Sequence, residues 1–154
     1  MTAPRVVTLH PGDVAVGVRG DRLETLLGSC VAIVLTDPRR TVGAMCHFVY
    51  SGPSAQTTPV STAQADQALA AMAQRLQVRG IAVPFCDAYV VGGGNMFPEI
   101  VSGASVGDDN AQWALRTLAA QGVRVLSVDV GGRVYRRLRW TVGPQAPQIE
   151  AVPL

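Results

Sequence analysis

The chain has no lysine. All thirteen of its basic residues are arginine, set against eleven acidic ones in 154 residues. The resulting net charge of +2 is too small to specify a nucleic-acid partner. Aromatic residues make up only 5% of the chain, which leaves little to stack unpaired bases on. No apolar run reaches the ~20 residues of a membrane span, although 48% of the residues are hydrophobic and mean hydropathy is +0.24. The opening "MTAPRVVTLH" has no basic stretch followed by an apolar one, so no export signal is expected. These absences predict a cytoplasmic protein that neither inserts into membranes nor binds nucleic acid.

Cysteine is scarce as well: Cys30, Cys46 and Cys86. An odd count without an export signal argues against a disulfide framework. There is no CxxC, and a zinc site drawn from Cys30, Cys46, His47 and Cys86 has a geometric defect. Cys46 and His47 are neighbours in a strand-like run, so they should point to opposite faces. Neither a metal nor a cofactor is expected.

What is present reads as one α+β domain spanning residues 1–154. "RVVTLH" and "DVAVGV" are short β-type runs parted by the turn signal "PGD". "CVAIVLTD" is almost continuously apolar, as a strand buried on both faces would be. "TVGAMCHFVY" follows as a strand, and "SGPSAQTTP" as a loop. Ser61 and Gln64 have capping-box spacing for a first helix. Its buried stripe is Ala65, Ala68, Leu69, Met72, Ala73 and Leu76, and Gly80 is its stop. A second helix is expected from about Asp108, with Ala111, Ala114, Leu115, Leu118 and Ala119 inward. "CDAYVVGG", "VRVLSVDVGG", "RVYRRLRW" and the tail "PQIEAVPL" complete the strands. In "RVYRRLRW", Arg136 and Leu138 share one face and Arg137 and Arg139 the other, which reads as an edge strand guarded by charge.

The glycine-rich "VVGGGNMF" follows a strand as a phosphate loop would, but it matches neither GxGxxG nor GxxxxGK[ST]. It reads as a tight turn with backbone close to a neighbour. The other chemical feature is Cys30, set directly after a Gly-Ser turn, with His47 in a later strand. A thiol beside an imidazole can attack a carbonyl carbon, and a protonated imidazole would lower the thiol pKa. From residue types alone, a small core cysteine and a hydrogen-bonded core histidine are the more common outcome.

The surrounding motifs change the weighting. "LETLLGSCVAIVLTDP", "VGAMCHF", "GGGNMF", "SVGDDN" and "VDVGGRVYRRL" occur in an order and spacing that resembles the chemoreceptor glutamine deamidase family, CheD. The resemblance runs from about residue 5 to residue 143. It implies a cysteine-hydrolase-like layered sandwich of mixed β-sheets with two main helices. It also implies hydrolysis of glutamine side chains on chemotaxis receptors to glutamate. By motif, Cys30 is the nucleophile, His47 the general base and Thr25 the third member, acting through its hydroxyl or its carbonyl. Ser29 and Cys30 would offer backbone N–H groups to the substrate oxyanion. The implied partners are the cytoplasmic domains of chemoreceptors and a CheC-type phosphatase. The alternative within the same resemblance is a regulatory binding partner of that phosphatase with little or no catalysis.

Overall fold

The computed structural model describes residues 3–52, 61–97 and 105–154. Most of the loop expected at 51–59 lies outside them.

Five strands form the larger sheet: β2 (Val14–Val18), β4 (Val31–Thr36), β5 (Val42–Phe48), β6 (Asp87–Gly92) and β7 (Arg124–Val130). Their order is β2-β5-β4-β6-β7, antiparallel except for the parallel β6–β7 pair. The second sheet holds β1 (Val6–Leu9), β3 (Arg22–Leu27), β8 (Val134–Thr141) and β9 (Gln148–Pro153), in the order β1-β3-β8-β9. Helices α1 (Ala65–Gln77) and α2 (Val106–Ala120) cover one face of the five-stranded sheet, and the four-stranded sheet covers the other. The chain is therefore an α+β sandwich of three layers, with the five-stranded sheet in the middle.

That position explains β4. All six of its residues are buried because both of its faces are covered. Val31, Ile33 and Leu35 pack toward the helices, and Ala32 and Val34 toward the other sheet. The outer sheet shows the contrasting pattern: in β8, Arg136, Leu138 and Trp140 are buried and alternate with exposed residues. The two sheets key together at one point. Trp140 of β8 lies over Gly43 of β5, where a Cβ would come within 2.1 Å of the indole ring. A glycine inside a strand here admits a side chain from the facing layer.

The β4–β5 hairpin carries both suspected catalytic residues, and Asp37 fixes its turn. Its carboxylate accepts the Thr41 N–H at 2.7 Å and the Val42 N–H at 3.0 Å. Beyond that turn the register pairs Ala32 with His47 and Val31 with Phe48.

Three sequence expectations change. "RVYRRLRW" forms β8, which lies between β3 and β9 rather than at an edge. Ser61 does not cap α1; its hydroxyl accepts the Ala63 N–H, the Gln64 N–H bonds to the Ser61 carbonyl, and Gln64 becomes the N-cap. Residues 61–64 thus make a turn before the helix begins. The second helix starts at Val106, because Ser105 and Asp108 form a reciprocal capping box.

Candidate active site

Strand alternation sorts the three thiols. Cys46 points into the core beneath the helices, as Phe48 does, while His47 points with Met45 toward the other sheet. Cys86 is also in the helix-side core. Cys30 lies just before β4, two residues from Ala32, and packs against the core between the sheets. Because Ala32 pairs with His47, Cys30 is the diagonal neighbour of His47 on the same face. Such neighbours sit roughly 7–8 Å apart along the backbone, within reach of a ring side chain. Cys30 is also the least buried of the three cysteines.

Thr25 comes from the facing sheet. In β3, Leu23, Thr25 and Leu27 are buried and alternate with more exposed residues. The Thr25 hydroxyl oxygen is 2.7 Å from His47 Nδ1 and 2.8 Å from the Leu9 carbonyl, its neighbour in the parallel β1–β3 pair. A carbonyl can only accept, so the single hydroxyl proton goes to Leu9. The hydroxyl must then accept from His47, which places the imidazole proton on Nδ1. Nε2 is left as the basic nitrogen, buried and without a hydrogen-bond partner among the described residues. An unpartnered buried acceptor is costly, so its presence asks for a role. The hydroxyl, and not the Thr25 carbonyl, is the atom that meets the ring.

Electrostatics correct one expectation. Burial lowers the His47 pKa from 6.5 to about 4, against the pull of the Asp13 carboxylate and with His10 adding to the depression. The imidazole is therefore neutral near pH 7. Burial raises the Cys30 thiol above its ordinary value. The resting pair is thiol and neutral imidazole, and no imidazolium is present to depress the thiol pKa. Burial pushes Cys46 up to about 12 and Cys86 up to about 11, in the latter case with the Asp37 and Asp87 carboxylates adding to the rise.

The glycine-rich turn packs as its sequence suggested, backbone against backbone. A Cβ on Gly92 would lie 2.4 Å from the Cys30 carbonyl, and one on Gly107 of α2 would lie 2.4 Å from both the Gly93 and Gly94 carbonyls. The Gly93 N–H donates to the Cys30 carbonyl at 2.8 Å, and the Gly94 N–H to the Gly28 carbonyl at 3.0 Å. The turn thus backs the "GSC" segment.

One residue escaped sequence reading. Asn110, on the inward face of α2, is 1% exposed, and its amide nitrogen bonds the Ser29 carbonyl at 3.1 Å and the Val49 carbonyl at 3.0 Å. The available signal was a polar residue one turn before Ala114 on an apolar stripe. Elsewhere, a hollow of about 600 Å³ lined by Arg19, Arg22, Arg139 and Gln148 lies toward the other end of β3 and includes none of Thr25, Cys30 or His47.

Comparison with known proteins gives the family of the chain. The family model described as CheD chemotactic sensory transduction matches residues 51–146. This chain belongs to the CheD family. A relative from Albidiferax ferrireducens, named "Probable chemoreceptor glutamine deamidase CheD 2", is 37% identical over 90% of this chain and 83% of its own length. CheD relatives of the same descriptive name from Pseudomonas fluorescens and Methanococcus vannielii are 35% and 33% identical. They align over 86% and 85% of this chain and 76% and 85% of their own lengths. A solved Neisseria meningitidis protein of family-model DUF152 overlaps 91% of this CheD chain and 76% of its own at a TM-score of 0.47 and 13% identity. No helix among the described residues is long and apolar enough to cross a membrane.

Proposed function

We propose that this chain is a chemoreceptor glutamine deamidase that works by thiol hydrolysis, with Cys30 as nucleophile, His47 as general base and Thr25 as the residue that orients the base. The observation that carries this reading is the free, unprotonated Nε2 of His47, held on the face it shares with Cys30 by a hydroxyl from the opposite sheet. It joins the family membership to a specific chemistry.

A glutamine side chain is a primary amide and a weak electrophile. As it arrives, Nε2 takes the Cys30 proton while Sγ bonds to the amide carbon. The oxygen of the tetrahedral intermediate takes up negative charge, and backbone N–H groups of Ser29 and Cys30 stabilise it. The imidazolium then gives its proton to the leaving nitrogen, the C–N bond breaks, and ammonia departs from a thioester. Water enters where ammonia left, and Nε2 takes one of its protons. The C–S bond breaks, the proton returns to sulfur, and the receptor carries glutamate. The net change is amide plus water to carboxylate plus ammonium, and the thiol is unchanged.

The reaction takes place in the cytoplasm on the cytoplasmic domains of receptors, where each new carboxylate alters charge pairing along a helix. A CheC-type phosphatase is a further partner of the same reading. Binding alone would have no use for a buried, unpartnered base on the face it shares with a thiol, so catalysis is favoured over a purely regulatory role. The test is to incubate the protein with the organism's receptors and map glutamine-to-glutamate conversion by mass spectrometry. Wild type should convert glutamines and Cys30→Ala should not, while Cys46→Ala and Cys86→Ala should remain active. A folded Cys30→Ala protein with wild-type turnover would refute the reading.

A further inference from the structure

The segment Gly28-Ser29-Cys30 holds two consecutive peptide groups whose carbonyls are both engaged. The Gly28 carbonyl accepts the Gly94 N–H at 3.0 Å, and the Ser29 carbonyl accepts the Asn110 amide at 3.1 Å. Neither following N–H, of Ser29 or of Cys30, finds a backbone acceptor among the described residues. All described peptides are trans, so each N–H points opposite to the carbonyl of its own plane. Pinning the two carbonyls therefore aims the two N–H groups.

The Cys30 N–H is free for an identifiable reason. In an antiparallel ladder the Cys30–Gly93 pair would exchange two bonds. Only the bond from Gly93 N–H to the Cys30 carbonyl is made. Gly93 has a φ of +70°, and its carbonyl lies against Gly107 of α2. The ladder breaks at the nucleophile and leaves a donor unpaired.

Asn110 supplies the remaining constraint. Its Nδ2 has two protons and meets two carbonyls, Ser29 before the nucleophile and Val49 two residues after His47. This fixes which end of the amide is nitrogen and leaves Oδ1 buried without a partner among the described residues. One side chain thus ties the turn that carries the thiol to the strand that carries the base.

We propose that Asn110 is a positioning residue of the deamidation site, which fixes the Ser29–Cys30 peptide so that the Cys30 N–H meets the oxyanion. The inference rests on the thiol-hydrolase reading above. Its consequence is specific to the chemical step, because the N–H it aims acts only once charge has developed on oxygen.

The experiment compares two reactions of the same thiol in Asn110→Ala. Deamidation of receptor glutamines passes through an oxyanion; alkylation of Cys30 by iodoacetamide is a displacement at saturated carbon and does not. Losing one oxyanion donor lowers kcat by about 10²–10³-fold, and a misaimed donor should cost about 10–100-fold. Asn110→Ala should show that loss in kcat, with KM and the rate and pH profile of alkylation unchanged. Asn110→Ser keeps a single donor and should lose less, and Asn110→Asp, which replaces the donor with an acceptor in the same shape, should lose at least as much as Ala. If Asn110→Ala fails to fold by circular dichroism, the Ser and Asp variants decide. Wild-type kcat in these variants, with Cys30→Ala inactive, overturns this inference alone. A parallel fall in alkylation and deamidation also overturns it and leaves Asn110 a purely structural residue. Activity in Cys30→Ala would remove the thiol reading and this inference together.

Discussion

Thr25 has one proton to give, and the Leu9 carbonyl takes it. From that fact follow the tautomer of His47 and the identity of its basic nitrogen. Thr25→Val keeps the shape and removes the hydroxyl, leaving the Nδ1 proton and the Leu9 carbonyl without their partner. The ring is then free to adopt the unproductive tautomer. In a triad whose orienting carboxylate is lost in this way the penalty is about 10⁴-fold; a neutral hydroxyl should cost less, about 10–100-fold in kcat. Thr25→Ser should recover most of the loss, which steady-state assays of the three proteins would show. The thiol offers a second test. Since burial raises the Cys30 pKa and His47 is neutral, iodoacetamide labelling should increase with pH through an inflection above the ordinary thiol value of about 8.5. An inflection below neutrality would mean a resting thiolate–imidazolium pair. Cys46 and Cys86, both buried, should label only on unfolding.

Elements explain why some of this was legible in the sequence and some was not. The alternation in "GAMCHF" placed Cys46 and His47 on opposite faces, because a strand offers no other choice. Thr25 could be singled out by motif, but the short β3 that presents it had no strong signal of its own, and only stacking of the sheets brings it to the ring. The arginines of "RVYRRLRW" suggested an edge, yet β9 pairs with β8 and the inward Arg136 is held by the Asp129 carboxylate and the Gly131 carbonyl. Burying a guanidinium that finds such partners is a tertiary event with no local signature. Asn110 gives no such signal, because a polar residue near a helix start usually faces water. The start of α2 also yields a prediction. Gly107 allows the glycine-rich turn to approach within a distance no side chain permits, and a Cβ there meets backbone oxygens that cannot rotate away. Gly107→Ala should cost about 1–3 kcal/mol through overpacking, read as a lower midpoint in chemical denaturation. It should also reduce turnover, because the displaced turn is the one that holds Gly28.

At the scale of the whole molecule, His47 makes stability depend on pH. Its pKa falls from 6.5 to about 4 on folding, so between those values the unfolded chain binds more protons than the folded one. Stability from this group is complete above about pH 6.5 and is lost as pH falls toward 4. The full difference is roughly 3 kcal/mol, given about 1.4 kcal/mol per pKa unit. Denaturation midpoints of wild type should drop across that window, and those of His47→Gln should drop less. A wild-type midpoint that stayed level from pH 6.5 to 4 would show that the imidazole is not buried neutral.

In the proposed site, His47 hangs from the middle sheet and the Thr25 hydroxyl that meets it from the outer one, so no single layer contains the whole site. A chain with its helices docked but its outer sheet astray would still carry Cys30 and His47 on one hairpin. It would lack the contact that decides where the imidazole proton sits. Hydrolysis of a receptor amide is an edit that this reaction cannot undo. In the proposed mechanism, the division of Thr25 and His47 between layers therefore ties turnover to the docking of the outer sheet.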